Sequence, residues 1–463
     1  MIPLIGKLYR TNNVKTYIYG KNLVNLSVLD IMQAHRFVRQ VEQNELSEFE
    51  TFPVIRALAS LDLGTAHIDA GRIAVNFEEQ GKPAGKSVDE FVKEQVAGLI
   101  GGSTEPVRPP RDVVLYGFGR IGRLMARLLI EKAGGGENLR LRAVVVRPGG
   151  AENDLVKRAS LLRRDSVHGP FEGTIRVDEE RQSFVANGVE VKVIYAASPE
   201  EVDYTQYGIN DAIVVDNTGK WRDADGLSVH LRCPGVSKVI LTAPGKGDMK
   251  NIVHGINSDI IEDSDTIISA ASCTTNAIAP PLKVLDDHFG IESGHVETVH
   301  SYTNDQNLID NYHKGDRRGR SAPLNMVISE TGAAKAVGKV LPQLLGKLSG
   351  NAIRVPTPNV SLAILKLNLK TATTKDELNE YMRKVALHSP LRKQIDYSNS
   401  PEVVSSDFVG SRHACVFDSE ATIVNGTSAV LYCWYDNEFG YSCQVHRVLE
   451  QMAGVNYAVY PKE

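Results

Sequence analysis

The sequence is poor in cysteine, in aromatic residues and in net charge. Its 463 residues include 5 Cys, 6% aromatic residues and a formal charge of −4, from 52 basic and 56 acidic side chains. Such balanced charge gives no electrostatic reason to expect a nucleic acid or an anionic membrane surface as a partner. No stretch reaches the roughly 18 apolar residues of a membrane helix, and the N-terminus lacks the apolar core of a signal peptide.

The cysteines are few and widely spaced, and no two of them have the spacing of a CxxC motif. This pattern argues against a redox dithiol motif and against a zinc knuckle, so the sequence predicts no metal site. Sparse thiols of this kind are typical of proteins from a reducing compartment, and we expect a cytoplasmic location. The five residues are Cys233, Cys273, Cys415, Cys433 and Cys443.

The composition is otherwise that of a folded globular protein, with 42% hydrophobic and 23% charged residues. At roughly 150 residues per domain, the length predicts about three domains. Residues 1–110 are expected to form a helical extension, with amphipathic patterns over 23–41 and 87–99. The second helix would begin at Ser87, because Glu90 follows at the spacing of a capping box. A Gly/Pro-rich stretch over 101–110 predicts a linker.

After this linker, short β-branched runs alternate with helical patterns. The runs at 113–116, 142–146, 212–216, 238–242 and 266–271 predict a doubly wound parallel sheet of the Rossmann type. From about residue 290 the apolar residues alternate, which predicts an α+β domain with a mainly antiparallel sheet. We therefore expect a cofactor domain over 111–272, completed by residues 435–463, and a catalytic domain over 273–434.

A glycine-rich turn follows the first of these strands. Gly117, Gly119 and Gly122 form a GxGxxG pattern between a strand and a helix, which is the context of a dinucleotide site. The glycines allow close approach of a pyrophosphate, and the helix N-terminus favours its charge. The alternative is a tight turn without a ligand. The turn residues predicted to bind the cofactor are Gly117, Phe118, Gly119, Arg120, Ile121 and Gly122.

The second strand lacks the acidic residue that usually holds the adenosine ribose. Arg147 follows the strand instead, and an arginine could accept a 2′-phosphate, so NADP as well as NAD is a candidate cofactor. The alternative is a surface arginine, with the ribose held elsewhere. Thr218, just beyond the strand at 212–216, is a further cofactor candidate, although it could be an ordinary loop hydroxyl.

Cys273 lies between a predicted strand and a predicted helix. A helix N-terminus lowers the pKa of a thiol and makes it nucleophilic, so we interpret Cys273 as the catalytic nucleophile. An inert buried thiol is the alternative, and it suits Cys233, Cys415 and Cys433 better. The neighbouring hydroxyl groups argue against a merely apolar setting for Cys273.

The segment Ala-Ser-Cys-Thr-Thr-Asn at 271–276 resembles the active-site segment of glyceraldehyde-3-phosphate dehydrogenases. Further segments agree in the order of that family, over about residues 113–455. The first three are Gly-Phe-Gly-Arg-Ile-Gly-Arg (117–123), His-Ser-Tyr-Thr (300–303) and Arg-Arg-Gly-Arg (317–320). They are followed by Thr-Gly-Ala-Ala-Lys-Ala-Val (331–337), Arg-Val-Pro-Thr-Pro-Asn-Val (354–360) and Trp-Tyr-Asp-Asn-Glu-Phe-Gly-Tyr (434–441).

The resemblance implies a role for each matching residue. His300 would be the base that pairs with Cys273. Arg354 would bind the substrate phosphate with Thr303 and Asp305, and we expect the Asp305 carboxylate to orient Arg354 rather than to touch phosphate. Asn437 would hydrogen-bond the nicotinamide amide, with Tyr441 beside it. Inorganic phosphate would be bound by Ser272, Thr274, Arg318, Thr331 and Gly332.

The implied reaction is the phosphorylating oxidation of glyceraldehyde 3-phosphate with NAD or NADP, in glycolysis or gluconeogenesis. Erythrose-4-phosphate dehydrogenase is the alternative that shares the thiol and the histidine. A non-catalytic NAD(P)-binding sensor is an alternative of another class. The resemblance also implies a homotetramer, with residues 303–330 near the subunit core. It leaves residues 1–110 without an assigned role.

Overall fold

The computed structural model describes residues 1–42, 46–102, 110–133, 139–455 and 457–462. The chain forms two compact units. The first contains residues 1–110, 132–138 and 454–463, and the second contains 111–131 and 139–453. Most of the predicted linker, residues 103–109, lies outside the described residues. No helix among the described residues is long and apolar enough to cross a membrane.

The first unit contains the predicted helices, but it also contains a sheet that the sequence analysis missed. Strand β1 pairs in parallel with β3 and antiparallel with β2, while a strand from the end of the chain, Ala458–Tyr460, pairs in parallel with β3. Its elements are α1 (Ile2–Asn12), β1 (Val14–Ile18), β2 (Lys21–Asn22), α2 (Val28–Glu42), α3 (Glu48–Ser60), β3 (Ala66–Asp69), α4 (Ala70–Asn76) and α5 (Val88–Gln95).

Two expectations for this unit need correction. Helix α2 begins at Val28, five residues later than the apolar pattern suggested, and Val28 and Met32 of that pattern are exposed. Residues 454–463, which we assigned to the cofactor domain, belong to the first unit, because their strand extends its sheet.

The capping box of α5 is confirmed: the Ser87 N–H donates to Glu90 Oε2 at 3.0 Å, and the Glu90 N–H donates to Ser87 Oγ at 3.3 Å.

The N-terminal part of the second unit is the predicted Rossmann-type sheet. Its strand order is β11-β10-β9-β4-β5-β8-β7-β6; the pairs from β11 to β8 are parallel, and β6 and β7 add an antiparallel edge. The central strand β4 is buried from its second residue onward. The elements are β4 (Arg111–Tyr116), α6 (Arg120–Lys132), β5 (Leu139–Val146), α7 (Asp154–Arg163), β6 (Ile175–Asp178), β7 (Ser183–Ala186), β8 (Val189–Tyr195), β9 (Ala212–Asp216), α8 (Ala224–Leu231), β10 (Val236–Leu241) and β11 (Ile267–Ser269).

The C-terminal part contains the predicted mixed sheet, ordered β13-β14-β12-β15-β17-β16. Pairs β12/β14 and β16/β17 are parallel, and the other three are antiparallel. Helices α10 and α12 pack against α9. The elements are α9 (Cys273–Phe289), β12 (Ile291–Ser301), β13 (Val327–Glu330), α10 (Ala333–Val340), β14 (Leu348–Val355), β15 (Ser361–Thr373), α11 (Lys375–His388), β16 (Ile395–Ser398), β17 (Cys415–Tyr435) and α12 (Phe439–Met452).

Candidate active site

Cys273 is the first residue of helix α9, as the sequence predicted. Ser272 caps the helix, because its Oγ accepts a hydrogen bond from the Thr275 N–H at 3.0 Å. Ala271 has a φ of 55°, an uncommon conformation for a residue other than glycine. The hydroxyl of Tyr441 donates to the Ala271 carbonyl at 2.8 Å. Tyr441 thus helps to hold the strained turn that presents the thiol.

His300, near the end of β12, lies beside this thiol. Its Nε2 is 3.6 Å from Cys273 Sγ, and its Nδ1 is 2.7 Å from the Ser301 carbonyl oxygen. With its proton on Nδ1, the imidazole donates to that carbonyl and its Nε2 lone pair faces the thiol; with the proton on Nε2, Nδ1 instead accepts from Arg354 Nη1 at 2.9 Å. The predicted nucleophile and base are therefore brought together in the geometry that proton transfer requires.

Arg354 lies next to His300 because β14 runs parallel to β12 and the two residues are in register. Its Nη1 is 2.9 Å from His300 Nδ1, 3.2 Å from the Ser301 carbonyl oxygen and 3.5 Å from Thr303 Oγ1. Its Nε is buried and has no hydrogen-bond partner among the described residues. A buried donor of this kind is available to an anion.

The pKa values of Cys273 and His300 differ from those expected for an activated thiol and its base. Burial and, to a smaller extent, the Arg354 cation lower the pKa of His300 to about 3. Burial also raises the pKa of the Cys273 thiol above its ordinary value, against the opposing effects of Arg354 and of hydrogen bonding to Thr274. The expectation of a lowered thiol pKa is wrong for this state, because desolvation outweighs the helix N-terminus. Burial therefore disfavours the charged form of both side chains.

A second group of polar residues surrounds Asp305. Its carboxylate accepts hydrogen bonds from the Thr303 hydroxyl and from the guanidinium of Arg318. Burial tends to raise the pKa of Asp305, but Thr303 and Arg318 hold it below its ordinary value. Asp305 therefore orients Arg318, and our expectation that it orients Arg354 needs correction. Both Arg354 and Arg318 act electrostatically on His300, and of the two only Arg318 has a carboxylate partner within hydrogen-bond distance among the described residues.

The remaining residues expected to bind phosphate follow β13. Thr331 Oγ1 accepts a hydrogen bond from the Ala333 N–H at 3.2 Å, and Gly332 is the N-cap of α10. Helix α10 packs against α9, the helix that begins at Cys273. Thr331 and Gly332 thus belong to a helix N-terminus on a neighbour of the nucleophile helix. No direct contact joins them to Cys273 or His300 among the described residues.

The glycine turn has the features of a dinucleotide site. Gly117 has a φ of 91°, and a Cβ atom on Gly122 would lie 2.3 Å from the Gly117 carbonyl oxygen. By contrast, a Cβ atom on Gly119 would meet nothing within 4 Å. Gly117 and Gly122 are therefore required by the turn itself, whereas the space at Gly119 is free for a ligand. Helix α6 begins at the next residue, so these residues fit a bound dinucleotide.

The other residues of this turn anchor it to neighbouring parts of the protein. Phe118 is buried and stacks on Phe184 at a centroid distance of 6.2 Å. Arg120 Nη1 donates to Asp165 at 2.5 Å, and Arg120 Nε donates to Glu438 at 3.0 Å. Arg120 therefore joins the turn to the residue that precedes helix α12. Ile121 is half-buried in the first turn of α6.

Thr218 lies beside the glycine turn, since a Cβ on Gly117 would approach its Cγ2 to 3.0 Å. Its hydroxyl donates to Asp216 Oδ1 at 2.6 Å. Arg147 is exposed just after β5, and its carbonyl accepts a hydrogen bond from Arg158 Nη2 at 2.8 Å. The Arg147 guanidinium has no hydrogen bond or ion pair among the described residues, so it is available to an anion.

One carboxylate near this strand end escaped the sequence analysis. Asp154 lines a cavity of about 280 Å³ together with Pro148, Gly149 and Tyr195. Its Oδ2 accepts a hydrogen bond from Arg158 Nε at 2.6 Å. Asp154 lies well beyond the end of β5 in sequence, so the usual spacing of a ribose-binding acid could not reveal it.

These features match those of a known family. A family model described as "Glyceraldehyde 3-phosphate dehydrogenase, NAD binding domain" matches residues 111–224, and one described as "Glyceraldehyde 3-phosphate dehydrogenase, C-terminal domain" matches residues 272–437. The chain is 42% identical to "Glyceraldehyde-3-phosphate dehydrogenase 2" of Bacillus subtilis, over 74% of this chain and 96% of the relative. The chain belongs to the glyceraldehyde-3-phosphate dehydrogenase family.

Two further relatives differ in how much of this chain they match. A "Glyceraldehyde-3-phosphate dehydrogenase-like protein" of Pseudomonas aeruginosa is 64% identical over the full length of both chains. "Glyceraldehyde-3-phosphate dehydrogenase GAPB, chloroplastic" of Arabidopsis thaliana is 43% identical over 72% of each chain. The family models match residues 111–224 and 272–437, so residues 1–110 and 454–463 of the first unit lie outside both. The Pseudomonas relative is matched over the whole chain, including this unit.

Two residues that form hydrogen bonds at this site were not selected from the sequence. The hydroxyl of Tyr435 lies 3.1 Å from Thr274 Oγ1 and 2.7 Å from Thr298 Oγ1, which links the nucleophile helix to β12. Ser361 donates to Asn437 Oδ1 at 2.8 Å. Tyr435 lies in the segment 434–441 and could have been selected from it. Ser361 follows the segment 354–360, and its spacing gives no signal.

Metal ligation and cysteine pairing are absent from the described part of the chain. No cluster of three or more His, Cys, Asp or Glu side chains there could hold a metal ion. None of the five cysteines of the described residues forms a disulfide; Cys273 is half-buried, and the other four are buried. Cys233 donates to the Pro199 carbonyl at 3.2 Å, in keeping with the structural role expected for it.

Proposed function

We propose that the protein oxidises glyceraldehyde 3-phosphate to 1,3-bisphosphoglycerate with NAD or NADP and inorganic phosphate. One observation carries this proposal: the Cys273 thiol lies 3.6 Å from the His300 base, with the arginines Arg354 and Arg318 nearby. A hydrolytic aldehyde dehydrogenase needs an activated water, whereas a phosphorylating one needs anion sites around the thioester. The two arginines favour the second reaction.

The first steps belong to Cys273 and His300. His300 Nε2 takes the thiol proton as sulfur attacks the aldehyde carbon, and then returns that proton to the oxyanion to give a hemithioacetal. His300 accepts the hydroxyl proton again when the carbon–hydrogen bond breaks. NAD or NADP, when bound, would supply the acceptor for the hydride that leaves this carbon. The product is a thioester on Cys273, and an oxygen of inorganic phosphate displaces the thiolate from it to give the acyl phosphate.

The positive groups divide between the two phosphates. Arg354, with Thr303, would hold the phosphate of the sugar. Arg318 would hold inorganic phosphate, aided by the hydroxyls of Ser272 and Thr274 and by Thr331 and Gly332. Asp305 keeps Arg318 in place and, as a carboxylate, would not bind phosphate itself.

We also infer that the enzyme accepts NADP. The support is the Arg147 guanidinium after β5, in the place where an acidic residue would repel a 2′-phosphate. Arg147→Asp should lower kcat/KM for NADP at least tenfold while leaving that for NAD within about threefold. Arg176→Asp, on β6, changes the same charge at another exposed position and serves as the control. An unchanged NADP/NAD ratio would remove Arg147 from the cofactor site.

We propose a homotetramer, assembled in a reducing cytoplasm. The segment 303–330 exposes a group of large apolar side chains that a subunit interface would cover. Sedimentation equilibrium measures the mass directly, and a monomer at micromolar concentration would contradict the proposal. The exposed residues are Leu308 at 74%, Ile309 at 73%, Tyr312 at 91%, Leu324 at 82%, Met326 at 76% and Ile328 at 56%.

The decisive test is a burst of reduced cofactor after mixing enzyme, cofactor and glyceraldehyde 3-phosphate. Cys273→Ser should abolish the burst and leave cofactor affinity unchanged, whereas Cys233→Ser should retain it. Acyl phosphate should form only when inorganic phosphate is present. A burst from Cys273→Ser would refute the thioester mechanism. A higher kcat/KM for erythrose 4-phosphate would reassign the substrate.

A further inference from the structure

Ser361, the first residue of β15, lies between the base strand and the residue expected to contact nicotinamide. Its hydroxyl accepts a hydrogen bond from the Ser301 N–H at 3.1 Å and donates to Asn437 Oδ1 at 2.8 Å. Ser361 is 1% exposed and Asn437 is 7% exposed. Water therefore offers neither side chain a ready alternative partner.

The two hydrogen bonds fix the orientation of the Asn437 carboxamide. A serine hydroxyl has one hydrogen, and with the Ser301 N–H pointing at its oxygen, that hydrogen must go to an acceptor. The acceptor is Oδ1 of Asn437, so the NH₂ group of this amide points away from Ser361. Among the described residues, the NH₂ group has no hydrogen-bond partner. It is the part of Asn437 that remains for a ligand.

The backbone around Ser361 is held in a costly conformation. Val360 has a φ of 64°, in the left-handed region that a β-branched residue rarely enters. Its carbonyl accepts a hydrogen bond from Ser301 Oγ at 2.9 Å, and Ser301 Oγ is also 3.0 Å from Thr357 Oγ1. Strain of this kind persists only where surrounding contacts over-determine the position. Ser361 is thus fixed from both sides of the turn.

The same contacts extend to the catalytic base. Ser301 directly follows His300, and its carbonyl oxygen lies 2.7 Å from His300 Nδ1. The backbone N–H of Ser301 donates to Ser361 Oγ, and the Ser301 carbonyl oxygen lies beside the imidazole of His300. Ser301 therefore contacts both the base and the residue that holds the Asn437 amide.

We propose that Ser361 is a positioning residue, which orients the Asn437 carboxamide so that its N–H donates to the amide carbonyl of the nicotinamide. This inference rests on the proposed function, since it assumes a nicotinamide cofactor beside Cys273. A ring held by one directed hydrogen bond presents one face to the substrate. A freely rotating Asn437 amide would offer an oxygen to the ring amide about as readily as a nitrogen.

The test uses Ser361→Ala in the full-length protein, with cofactor affinity measured by calorimetric titration. We expect the Kd for the oxidised cofactor to rise 5- to 20-fold, while the KM for glyceraldehyde 3-phosphate stays within twofold. Ser361→Thr keeps the hydroxyl and should restore most of the affinity. Ser293→Ala removes one exposed hydrogen bond, from Asn368 Nδ2 at 2.9 Å, at the far end of β12 and serves as the control.

A double-variant cycle tests whether the effect passes through Asn437. In an Asn437→Ala background, Ser361→Ala should change cofactor affinity by less than twofold. A second readout is the face of the ring that receives the hydride, followed by NMR with deuterated aldehyde. The parent protein should label one face, and Ser361→Ala should label both.

The outcomes separate the two hypotheses. A Ser361→Ala variant with parental affinity and single-face labelling would overturn this inference, as would an equal loss of affinity in the Asn437→Ala background. If Ser361→Ala does not fold, Ser361→Cys has nearly the same size and is a much weaker donor, and it should show the same loss. A parent protein that binds the cofactor but does not oxidise the sugar phosphate would instead refute the proposed function.

Discussion

Replacing Gly122 by alanine tests the glycine turn most directly. Gly122 is packed against the protein itself, whereas Gly119 of the same turn faces space that a ligand could fill. The new Cβ atom would lie 2.3 Å from the Gly117 carbonyl oxygen, inside the 3.0 Å limit that real Cβ atoms respect. That oxygen belongs to the backbone, so it cannot rotate away. Either the turn or the start of α6 must move by about 0.7 Å.

The expected cost follows from overpacking, which destabilises a protein by about 1–3 kcal/mol. The higher helix propensity of alanine offsets up to about 1 kcal/mol of this destabilisation. We therefore expect Gly122→Ala to lower the free energy of unfolding by about 1–2 kcal/mol, and the displaced turn to raise the Kd for the cofactor at least tenfold. Urea unfolding followed by circular dichroism and calorimetric titration measure the two effects.

Gly119→Ala is the matched comparison, because its Cβ atom would meet nothing within 4 Å. It should leave the free energy of unfolding within about 0.5 kcal/mol of the parent value, as expected where no protein atom is crowded. It should still weaken cofactor binding about tenfold or more, since the added methyl group occupies the space left for the pyrophosphate. Parental affinity in Gly119→Ala, or parental stability in Gly122→Ala, would refute this account of the turn.

Three further predictions concern other parts of the molecule. Below about pH 6.5, His300 binds a proton in the unfolded chain but not in the folded protein, where its pKa is about 3. The free energy of unfolding should therefore fall as the pH is lowered from about 6.5 towards 3. His300→Asn should reduce that slope by up to about 1.4 kcal/mol per pH unit in urea titrations, and parallel curves would contradict this. Tyr460→Ala empties a buried position on the sheet of the first unit, and should destabilise that unit by about 3–5 kcal/mol, seen as faster proteolysis within residues 1–110 with turnover retained. Asp305→Asn releases Arg318 and should raise the KM for inorganic phosphate about 10- to 100-fold, while equal KM values would show that the pair has no role in binding.

The Rossmann-type sheet could be read from local pattern because its central strands are buried on both faces. Strand β9, with all five residues buried, appears in the sequence as an unbroken apolar run. The first unit gave no such signal. Its strand β1 contains Lys15 and Thr16, which are buried although polar, and its sheet is completed by a strand from the other end of the chain. A pairing across so much sequence leaves no trace in local periodicity.

The sequence by itself determined the identities of the chemical groups: a thiol at a helix N-terminus, a histidine at the end of a strand and glycines at a strand-to-helix turn. These are local features, set by residues within a few positions of each other. The tertiary structure alone decided which groups meet. It paired Asp305 with Arg318 and Ser361 with Asn437, and it desolvated the Cys273 thiol so that its pKa rises. Hydrogen-bond partners and desolvation depend on distances between remote segments, and these are fixed only when the sheets form.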